Sequence, residues 1–350
     1  MHNLSDNTVF PSSRIEAVRK ILEGNGPFVM VVHERPDGDA IGSALALKTA
    51  LEQKGKQAAV ISPDRIPDFL RWLPGAADII EAHKDFDRAR RLLESAEAIF
   101  MIDFNSPYRA GQLEQILESR LGEIPFVMID HHLQPDTRIP HIFSDPDRAS
   151  TAELIYEFLQ KTGLVKDFSP DTATALYAGI LTDTGSFRFN KTSGDTHRIV
   201  SRLIDAGADN ARIYSNIFDT YSYDKLQLLG EAIRRLKVIP ECAASYIVLD
   251  EDTLKKYNFR PGDTEGIVNY GLMLDGINFT VLITQKPGEK PVRMSFRSKG
   301  NFDVNTFARR YFNGGGHKNA AGGKFDGSVE EAEKRFVELV HKHCDEIRRA

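Results

Sequence analysis

Short apolar runs alternate with amphipathic helical patterns through the first half of the chain. Four runs predict buried strands, at residues 28–32, 58–61, 98–102 and 126–129. Residues 40–54 and 109–119, which lie between them, have helical periodicity. Strands that alternate with helices are typical of a parallel sheet with helices on both faces. The first half is therefore predicted to be an α/β domain.

The second half changes character twice. Residues 151–236 are mainly helical, and residues 224–236 are predicted to lead into another domain. Strand-like runs then follow at 244–249, 278–284 and 292–298, with a helix from about residue 329. Because 350 residues suit two domains, we predict a first domain over 1–205, a helical connector over 206–238 and a smaller α/β domain over 239–350.

Composition excludes several classes of protein. Hydrophobic residues make up 41% of the chain and charged residues 27%, as in ordinary globular proteins. The two cysteines, Cys242 and Cys344, lie far apart and outside any paired metal-ligand spacing, so neither a disulfide nor a thiolate zinc site is expected. Residues 1–10 lack a signal-peptide pattern, and no apolar run approaches the ~20 residues of a membrane span. A cytoplasmic protein without a membrane partner is expected.

Charge is distributed unevenly along the chain. The net charge of -5 argues against a protein that binds long duplexes, whose affinity depends on neutralising phosphates. Residues 285–324, however, contain nine Lys and Arg against two acidic residues. An anionic ligand is therefore expected near the second domain.

Polar residues that can bind metal follow the predicted strands of the first domain. They come after the first, third and fourth strands and after a later helix: His33, Asp37, Asp39, Asp103, Asp130, His131, His132 and Asp183. In open α/β sheets, ligands bind beyond the carboxyl ends of the strands. These side chains are therefore expected to converge in space.

Each of these positions also has a purely structural interpretation. Asp39 suits a helix cap, and Asp103 suits a loop at a strand end, although a buried carboxyl there needs a partner. His131 and His132 are adjacent, so their side chains diverge, and one metal ligand beside one substrate contact is the simpler account. Asp183 ends a helix, where an anion is unfavourable unless a cation balances it.

Six of these groups form a set of two histidines and four aspartates: His33, Asp37, Asp39, Asp103, His131 and Asp183. Carboxylate and imidazole ligands suit Mn²⁺ or Mg²⁺ better than Zn²⁺. The set is too large for one ion that must also admit substrate, but it suits two ions that share a carboxylate. Two such ions activate water for displacement at phosphorus, so the sequence predicts phosphoester hydrolysis.

The second half contains a glycine-rich motif, Gly314–Gly315–Gly316–His317, after Arg293, Ser295 and Arg297. Glycine amides can approach an anion closely, and a helix N-terminus is expected to follow and to add favourable charge. Arginines bind phosphate bidentately. Glycine runs are also common in turns, but the basic excess around this one favours an anion site.

Together these motifs resemble the DHH phosphoesterase family with the DHH-associated C-terminal domain, of the nanoRNase/pAp-phosphatase type related to RecJ nucleases. The resemblance spans residues 33 to about 323 and implies a five-stranded parallel sheet domain joined by a helical connector to a smaller α/β domain. It implies that His33, Asp37 and the bridging Asp103 hold one Mn²⁺. Asp39, His131 and Asp103 would hold the other, with Asp183 also coordinating. His132 would face the scissile phosphate, and Asp130 would orient a ligand histidine.

The resemblance further implies a substrate site in the second domain. Arg293, Ser295, Arg297, the loop Gly314 to Gly316 and His317 would hold the substrate's other phosphate or terminal nucleotide. Arg109 is either a phosphate contact or a solvated residue at a helix start.

The implied substrates are short single-stranded oligoribonucleotides, linear dinucleotides such as pApA, and adenosine 3′,5′-bisphosphate. The alternatives are hydrolysis of inorganic pyrophosphate or polyphosphate and non-catalytic dinucleotide binding, of which the latter would require a damaged set of metal ligands. The sequence leaves open which substrate is physiological, the cleavage polarity, Mn²⁺ against Mg²⁺, and whether the protein forms a homodimer.

Overall fold

The computed structural model describes residues 9–350 as two compact units. The first unit ends at Thr220 and the second runs from Tyr221 to Ala350. This division falls inside the predicted connector. Residues 1–8, which include most of the segment predicted to lack a signal peptide, lie outside the described residues.

The first unit contains a six-stranded sheet in the order β3-β2-β1-β4-β5-β6. All of its strand pairs are parallel. The strands are β1 (Phe28–Val32), β2 (Ala58–Ser62), β3 (Ile80–Glu81), β4 (Ala98–Ile102), β5 (Phe126–Asp130) and β6 (His141–Ser144). The parallel α/β fold is confirmed, but the sheet has six strands instead of five. The two strands that were not predicted are the short edge strands β3 and β6.

Both faces of this sheet are covered, because its strands are apolar at consecutive positions. Phe28, Met30 and Val32 of β1 pack into one apolar core, whereas Val29 and Val31 pack into another. The helices are α1 (Ser12–Ile21), α2 (Gly38–Gln53), α3 (Phe86–Glu94), α4 (Glu114–Arg120), α5 (Thr151–Thr162), α6 (Pro170–Asp183), α7 (Gly194–Asp205) and α8 (Asn210–Phe218). The helix predicted at 109–119 is broken: a 3-10 helix, Pro107–Leu113, precedes α4.

Close contact between α2 and α6 depends on two glycines. A Cβ atom on Gly42 would lie 2.4 Å from the carbonyl oxygen of Ala175. A Cβ atom on Gly179 would lie 2.9 Å from Cβ of Ala152 and 3.1 Å from Oδ1 of Asp39. The absence of these side chains lets α6 approach the first turn of α2, and it brings Asp39 close to the end of α6.

The second unit has its own six-stranded sheet, in the order β11-β12-β10-β9-β8-β7. The strands are β7 (Lys237–Ile239), β8 (Ala244–Leu249), β9 (Phe279–Thr284), β10 (Val292–Ser298), β11 (Gly315–His317) and β12 (Ala320–Phe325). The helices are α9 (Tyr223–Arg234), α10 (Glu251–Lys256), α11 (Asn269–Leu272), α12 (Val304–Tyr311), α13 (Val329–Lys342) and α14 (Cys344–Arg348). β8 and β9 are parallel and the other pairs are antiparallel, so the sheet is mixed.

Two predictions for the second unit were wrong. The glycine run does not precede a helix: Gly315 and Gly316 begin β11, which pairs with β12. Cys242 and Cys344 form a disulfide across 102 residues of sequence. Sequence separation does not determine spatial separation, and here the fold brings α14 against the 3-10 helix Pro240–Cys242.

None of the helices within residues 9–350 is both long enough and apolar enough to cross a membrane.

Candidate metal centre

The predicted metal ligands of the first unit begin at the carboxyl ends of three adjacent strands. His33 follows β1, Asp103 follows β4, and Asp130 is the last residue of β5. Since β1, β4 and β5 are neighbours in the sheet, parallel pairing places these ends side by side. Asp103 also has a positive φ of 66°, a conformation that is uncommon for residues other than glycine and is often found at functional sites.

The loop between β1 and α2 presents two carboxylates in different surroundings. Asp37 caps α2, because its Oδ1 accepts hydrogen bonds from the amides of Asp39 and Ala40, each at 3.1 Å. Asp39 is fully buried in the first helical turn. The cap is therefore Asp37, and the interpretation of Asp39 as the cap was wrong.

The six candidate ligands form two groups around Asp103. In the first group, Nε2 of His33 lies 3.9 Å from Oδ1 of Asp37 and 3.6 Å from Oδ2 of Asp103. In the second, Nε2 of His131 lies 3.2 Å from Oδ2 of Asp183 and 4.0 Å from Oδ2 of Asp39.

Asp103 reaches both groups. Its Oδ1 lies 3.6 Å from Nε2 of His131, while its Oδ2 faces His33. Within each group, one ligand atom from each residue lies within 4.8 Å of the others. Side chains that are far apart in sequence thus form two clusters, and the carboxylate of Asp103 lies next to both.

Backbone carbonyls determine which nitrogen of each histidine is available. Nδ1 of His33 donates to the carbonyl of Glu34 at 2.8 Å, and Nδ1 of His131 donates to the carbonyl of Arg148 at 3.2 Å. A carbonyl can only accept, so both Nδ1 atoms carry hydrogen and both Nε2 atoms turn towards the carboxylates. A fixed tautomer of this kind is the usual support for a metal-binding histidine.

The electrostatics of the cluster are unfavourable without a cation. Burial, together with the charges of Asp103 and Asp37, raises the pKa of Asp183 to about 8. Burial and the charges of Asp103 and Asp183 also raise the pKa of Asp39 well above its ordinary value. Burial alone would lower the pKa of His33, but its contact with Asp103 raises it to about 9. Raised pKa values of this kind are typical of buried carboxylates that lie close to other negative charges with no cation to balance them.

His132 has a different partner from His131. Its Nδ1 donates to Oδ1 of Asp130 at 2.7 Å and lies 3.7 Å from Oδ1 of Asp103. The structure therefore places Asp130 against His132, whereas the sequence interpretation placed it behind a ligand histidine. Asp130 is fully buried and holds the imidazole ring of His132 through Nδ1. The other ring nitrogen, Nε2, is therefore directed away from Asp130.

In the second unit, the alternation of β10 separates its two faces. Val292, Met294, Phe296 and Ser298 are buried, whereas Arg293, Ser295 and Arg297 share the opposite face. Arg297 is half-buried, and no carboxylate in residues 9–350 lies within ion-pair distance of it. Burial lowers its pKa despite the charge of Glu265. A half-buried guanidinium without an ion-pair partner suits an anionic ligand.

Backbone packing explains two of the three glycines, Gly314 and Gly316. A Cβ atom on Gly314 would lie 2.0 Å from the carbonyl oxygen of Gly322, and one on Gly316 would lie 2.5 Å from that of Ala320. The amide of Gly314 donates to the carbonyl of Ala308 at 3.2 Å, and that of Gly316 donates to Oδ1 of Asn305 at 2.9 Å. Two of the three amides that were expected to contact an anion therefore already have partners.

The remaining candidates lie beside these features. Gly315 pairs with Gly322 in the β11–β12 hairpin, and His317 ends β11 at an exposed position opposite Ala320. Arg109 belongs to the first unit, where its carbonyl accepts a hydrogen bond from the amide of Glu34 at 2.7 Å. This contact holds the 3-10 helix that contains Arg109 against the residue after His33.

The residues that hydrogen-bond to the candidate site residues were not predicted from the sequence. Thr151 donates to Asp103, Arg148 provides the carbonyl behind His131, and Asn305 engages Gly316. Thr151 and Arg148 follow β6, a strand that was not predicted. The signal that could have found them is a Ser-Thr pair at the start of the next helix.

Comparison with known proteins identifies both domains. The DHH family, N-terminal domain, matches residues 27–180, and the DHHA1 domain matches residues 242–346. The chain is 28% identical to the bifunctional oligoribonuclease and PAP phosphatase NrnA of Thermus thermophilus, over 94% of each chain. An oligoribonuclease and a PAP phosphatase both break phosphate-ester bonds, so the predicted enzyme class, a phosphoric ester hydrolase, is confirmed.

Two solved structures support the same fold. An exopolyphosphatase-related protein from Bacteroides fragilis has a TM-score of 0.91 and 34% identity, covering 96% of this chain and 98% of that one. The exonuclease RecJ, in a crystal structure bound to manganese, has a TM-score of 0.55 and 13% identity over 97% of this chain and 96% of that one. The predicted RecJ-like fold is confirmed, and the chain belongs to the DHH family, with a DHHA1 domain in its C-terminal part.

Proposed function

We propose that this protein is a manganese-dependent phosphoesterase that hydrolyses short oligoribonucleotides, linear dinucleotides such as pApA, and adenosine 3′,5′-bisphosphate. The observation that carries the proposal is the meeting of two ligand groups at Asp103 in the first unit. Each of its two oxygens faces a different histidine, which is the arrangement expected of a carboxylate shared by two cations.

The residues present fit a pair of divalent cations. Both ligand histidines have Nε2 turned inward by a backbone carbonyl, and burial together with neighbouring negative charges raises the pKa values of Asp39 and Asp183. We propose His33, Asp37 and Asp103 as one site and Asp39, His131, Asp183 and Asp103 as the other. Cations bound there would supply a Lewis acid and lower the pKa of a bound water.

The protein's own groups would position the phosphate. Nδ1 of His132 donates to Asp130, so Nε2 is the atom that can donate to a phosphate oxygen. The buried Asp130 keeps the ring in one orientation through this hydrogen bond. We propose that His132 contacts the scissile phosphate and that Asp130 orients His132.

Two observations support nucleotides as the substrates: the activities for which a relative is named, and the basic face of β10. The NrnA protein of Thermus thermophilus is named for oligoribonuclease and PAP phosphatase activities. The half-buried Arg297, with Arg293 and Ser295 on the same face of β10, offers donors to a second phosphate. We therefore propose a substrate with a phosphate or nucleotide beyond the scissile bond, held by this face together with His317.

A single assay tests the substrate class. With Mn²⁺ present, pApA and adenosine 3′,5′-bisphosphate are expected to be hydrolysed at least about tenfold more efficiently than pyrophosphate, since one hydrogen-bonded anion contact is worth ~1.5 to 3 kcal/mol. The measurement is kcat/KM for all three substrates with one enzyme preparation. If pyrophosphate is hydrolysed faster than either nucleotide, the protein is instead a pyrophosphatase or polyphosphatase.

That alternative is hydrolysis of inorganic polyphosphate or pyrophosphate. It is favoured by one observation, the similarity to an exopolyphosphatase-related protein from Bacteroides fragilis. Including a short polyphosphate in the same assay separates the two functions, because polyphosphate provides repeated anions without a ribose or base.

Metal identity provides a further prediction. The proposed ligands are limited to carboxylate and imidazole, so Mn²⁺ is expected to restore the most activity to metal-free enzyme, with Mg²⁺ weaker. Activity after dialysis against chelator and addition of each cation measures this order, and elemental analysis gives the bound metal. Two tightly bound zinc ions in fully active protein would contradict the assignment.

A further inference from the structure

The first residues of α5 lie against the two buried carboxylates of the metal centre. The hydroxyl of Thr151 donates to Oδ1 of Asp103 at 2.8 Å. Thr151 is completely buried and Asp103 is 1% exposed, so water cannot replace this hydrogen bond. A buried hydrogen bond to a charged oxygen is stronger than a neutral one.

The backbone at the same helix start holds Asp39. The amide of Thr151 donates to Oδ2 of Asp39 at 2.6 Å, and the amide of Ala152 donates to Oδ1 at 2.9 Å. Both oxygens of this carboxylate are thus fixed by main-chain groups that no side-chain substitution removes. One turn of α5 therefore fixes a carboxylate from α2 through its backbone and a carboxylate after β4 through its hydroxyl.

The start of α5 is itself held in place. The side chain of Ser150 caps the helix by accepting from the amide of Glu153 at 3.3 Å. The carboxylate of Glu153 accepts from the hydroxyl of Thr196 on α7 at 2.6 Å. The hydroxyl of Thr151 consequently projects from a fixed backbone and can transmit that rigidity to Asp103.

The orientation of Asp103 determines which ligand group each oxygen faces. Its Oδ2 lies 3.6 Å from Nε2 of His33, and its Oδ1 lies 3.6 Å from Nε2 of His131. The terminal torsion of an aspartate is broad, so the carboxylate plane can turn unless a neighbour holds it. Thr151 is the neighbour that binds Oδ1 by a short hydrogen bond.

We infer that Thr151 is a positioning residue that fixes the carboxylate plane of Asp103, so that one oxygen serves each of the two ligand groups. The inference rests on the proposed metal pair. Without the hydroxyl, Asp103 can turn, and Oδ1 loses the orientation that faces His131. The group formed by Asp39, His131 and Asp183 then loses the contribution of the shared carboxylate.

The test compares Mn²⁺ binding by the metal-free forms of four proteins. They are the wild type, Thr151→Val, Thr151→Ser and the matched control Thr162→Val. Thr162 is a buried threonine at the other end of α5, and its hydroxyl donates only within the helix, to the carbonyls of Phe158 and Leu159. Isothermal titration calorimetry gives the affinity and the number of ions bound, and thermal melting of each metal-free protein reports on the fold.

Thr151→Val is expected to weaken binding of one Mn²⁺ equivalent by about 10- to 100-fold, the usual loss for a residue that orients a ligand. Thr151→Ser, which keeps the hydroxyl, and Thr162→Val should bind two ions as the wild type does. Two-ion binding of unchanged affinity in a folded Thr151→Val protein would overturn the inference alone. A wild-type protein that binds no Mn²⁺ would instead overturn the proposed function.

If Thr151→Val fails to fold, Thr151→Ala in two backgrounds decides. In an Asp103→Asn background, Thr151→Ala should leave the affinity for the remaining Mn²⁺ unchanged, because the carboxylate that Thr151 positions is absent. In an Asp37→Asn background, where Asp103 is intact, Thr151→Ala should weaken Mn²⁺ binding by about 10- to 100-fold. Equal losses in both backgrounds would mean that Thr151 acts through the helix and not through Asp103.

Discussion

Replacing Asp103 by Asn is expected to abolish phosphoester hydrolysis while leaving the fold intact. Asp103 has one oxygen facing His33 and the other facing His131, so its charge serves both ligand groups. An amide has a single oxygen and no charge. Each ~1.4 kcal/mol of lost transition-state stabilisation lowers the rate about tenfold. Because the change would disrupt both cation sites, we expect kcat to fall about a thousandfold or more.

The matched control is Glu81→Gln, which also removes a buried carboxylate from the first unit. Glu81 is 7% exposed and pairs with Arg71 and Lys84 outside the cluster. This variant is expected to retain most of its activity, whatever its effect on the melting temperature. An Asp103→Asn protein that melts cooperatively and keeps more than a few per cent of wild-type kcat would show that the two-cation assignment is wrong.

The convergence of the candidate ligands was predictable because the order of the strands in the sheet produces it. Once residues 28–32, 98–102 and 126–129 are interpreted as parallel strands, the polar residues that follow must gather at one edge of the sheet. That His33, Asp103 and His131 lie close together could therefore be predicted without any knowledge of side-chain contacts. The edge strands β3 and β6 were missed because two to four residues carry too little periodicity to stand out from loops.

The hydrogen-bond partners of the candidate ligands were not predictable from local sequence patterns. Asp130 contacts His132 and Thr151 contacts Asp103 because strand ends and a helix start meet in three dimensions. The positive φ of Asp103 could not be predicted either. Glycine is the residue that usually marks such a conformation, and this position has an aspartate.

The roles of the glycine run at 314–316 and of the two cysteines also depend on contacts between distant parts of the chain. Glycines are required both where a backbone approaches an anion and where two backbones approach each other, and the sequence of 314–316 is compatible with either. The close contacts of Gly314 with Gly322 and of Gly316 with Ala320 show that backbone packing beside β12 requires glycine at these two positions, whereas a Cβ atom on Gly315 would have room. The disulfide between Cys242 and Cys344 depends on how the C-terminal helices return to the second sheet.

Arg297→Ala is expected to impair hydrolysis of pApA far more than hydrolysis of a minimal ester such as bis-p-nitrophenyl phosphate. If Arg297 binds a phosphate other than the scissile one, its removal costs charge-assisted hydrogen bonds worth ~1.5 to 3 kcal/mol. The loss in kcat/KM for pApA should then be about 10- to 150-fold. The minimal ester has no second phosphate, so its kcat/KM should change by less than about twofold. His317→Ala is expected to show the same selectivity.

Two further variants make the comparison specific to the guanidinium. Arg297→Lys keeps a charge but loses the planar fork, so it should recover only part of the activity on pApA. Arg335→Ala removes an exposed arginine of α13 that pairs with Glu338, and it should leave both substrates unaffected. Because binding energy distant from the reacting bond can also position the reacting group, kcat for pApA is expected to fall together with kcat/KM. An equal proportional loss on both substrates would mean that Arg297 supports the fold or the metal centre, and a substrate role for this face of β10 would have to be abandoned.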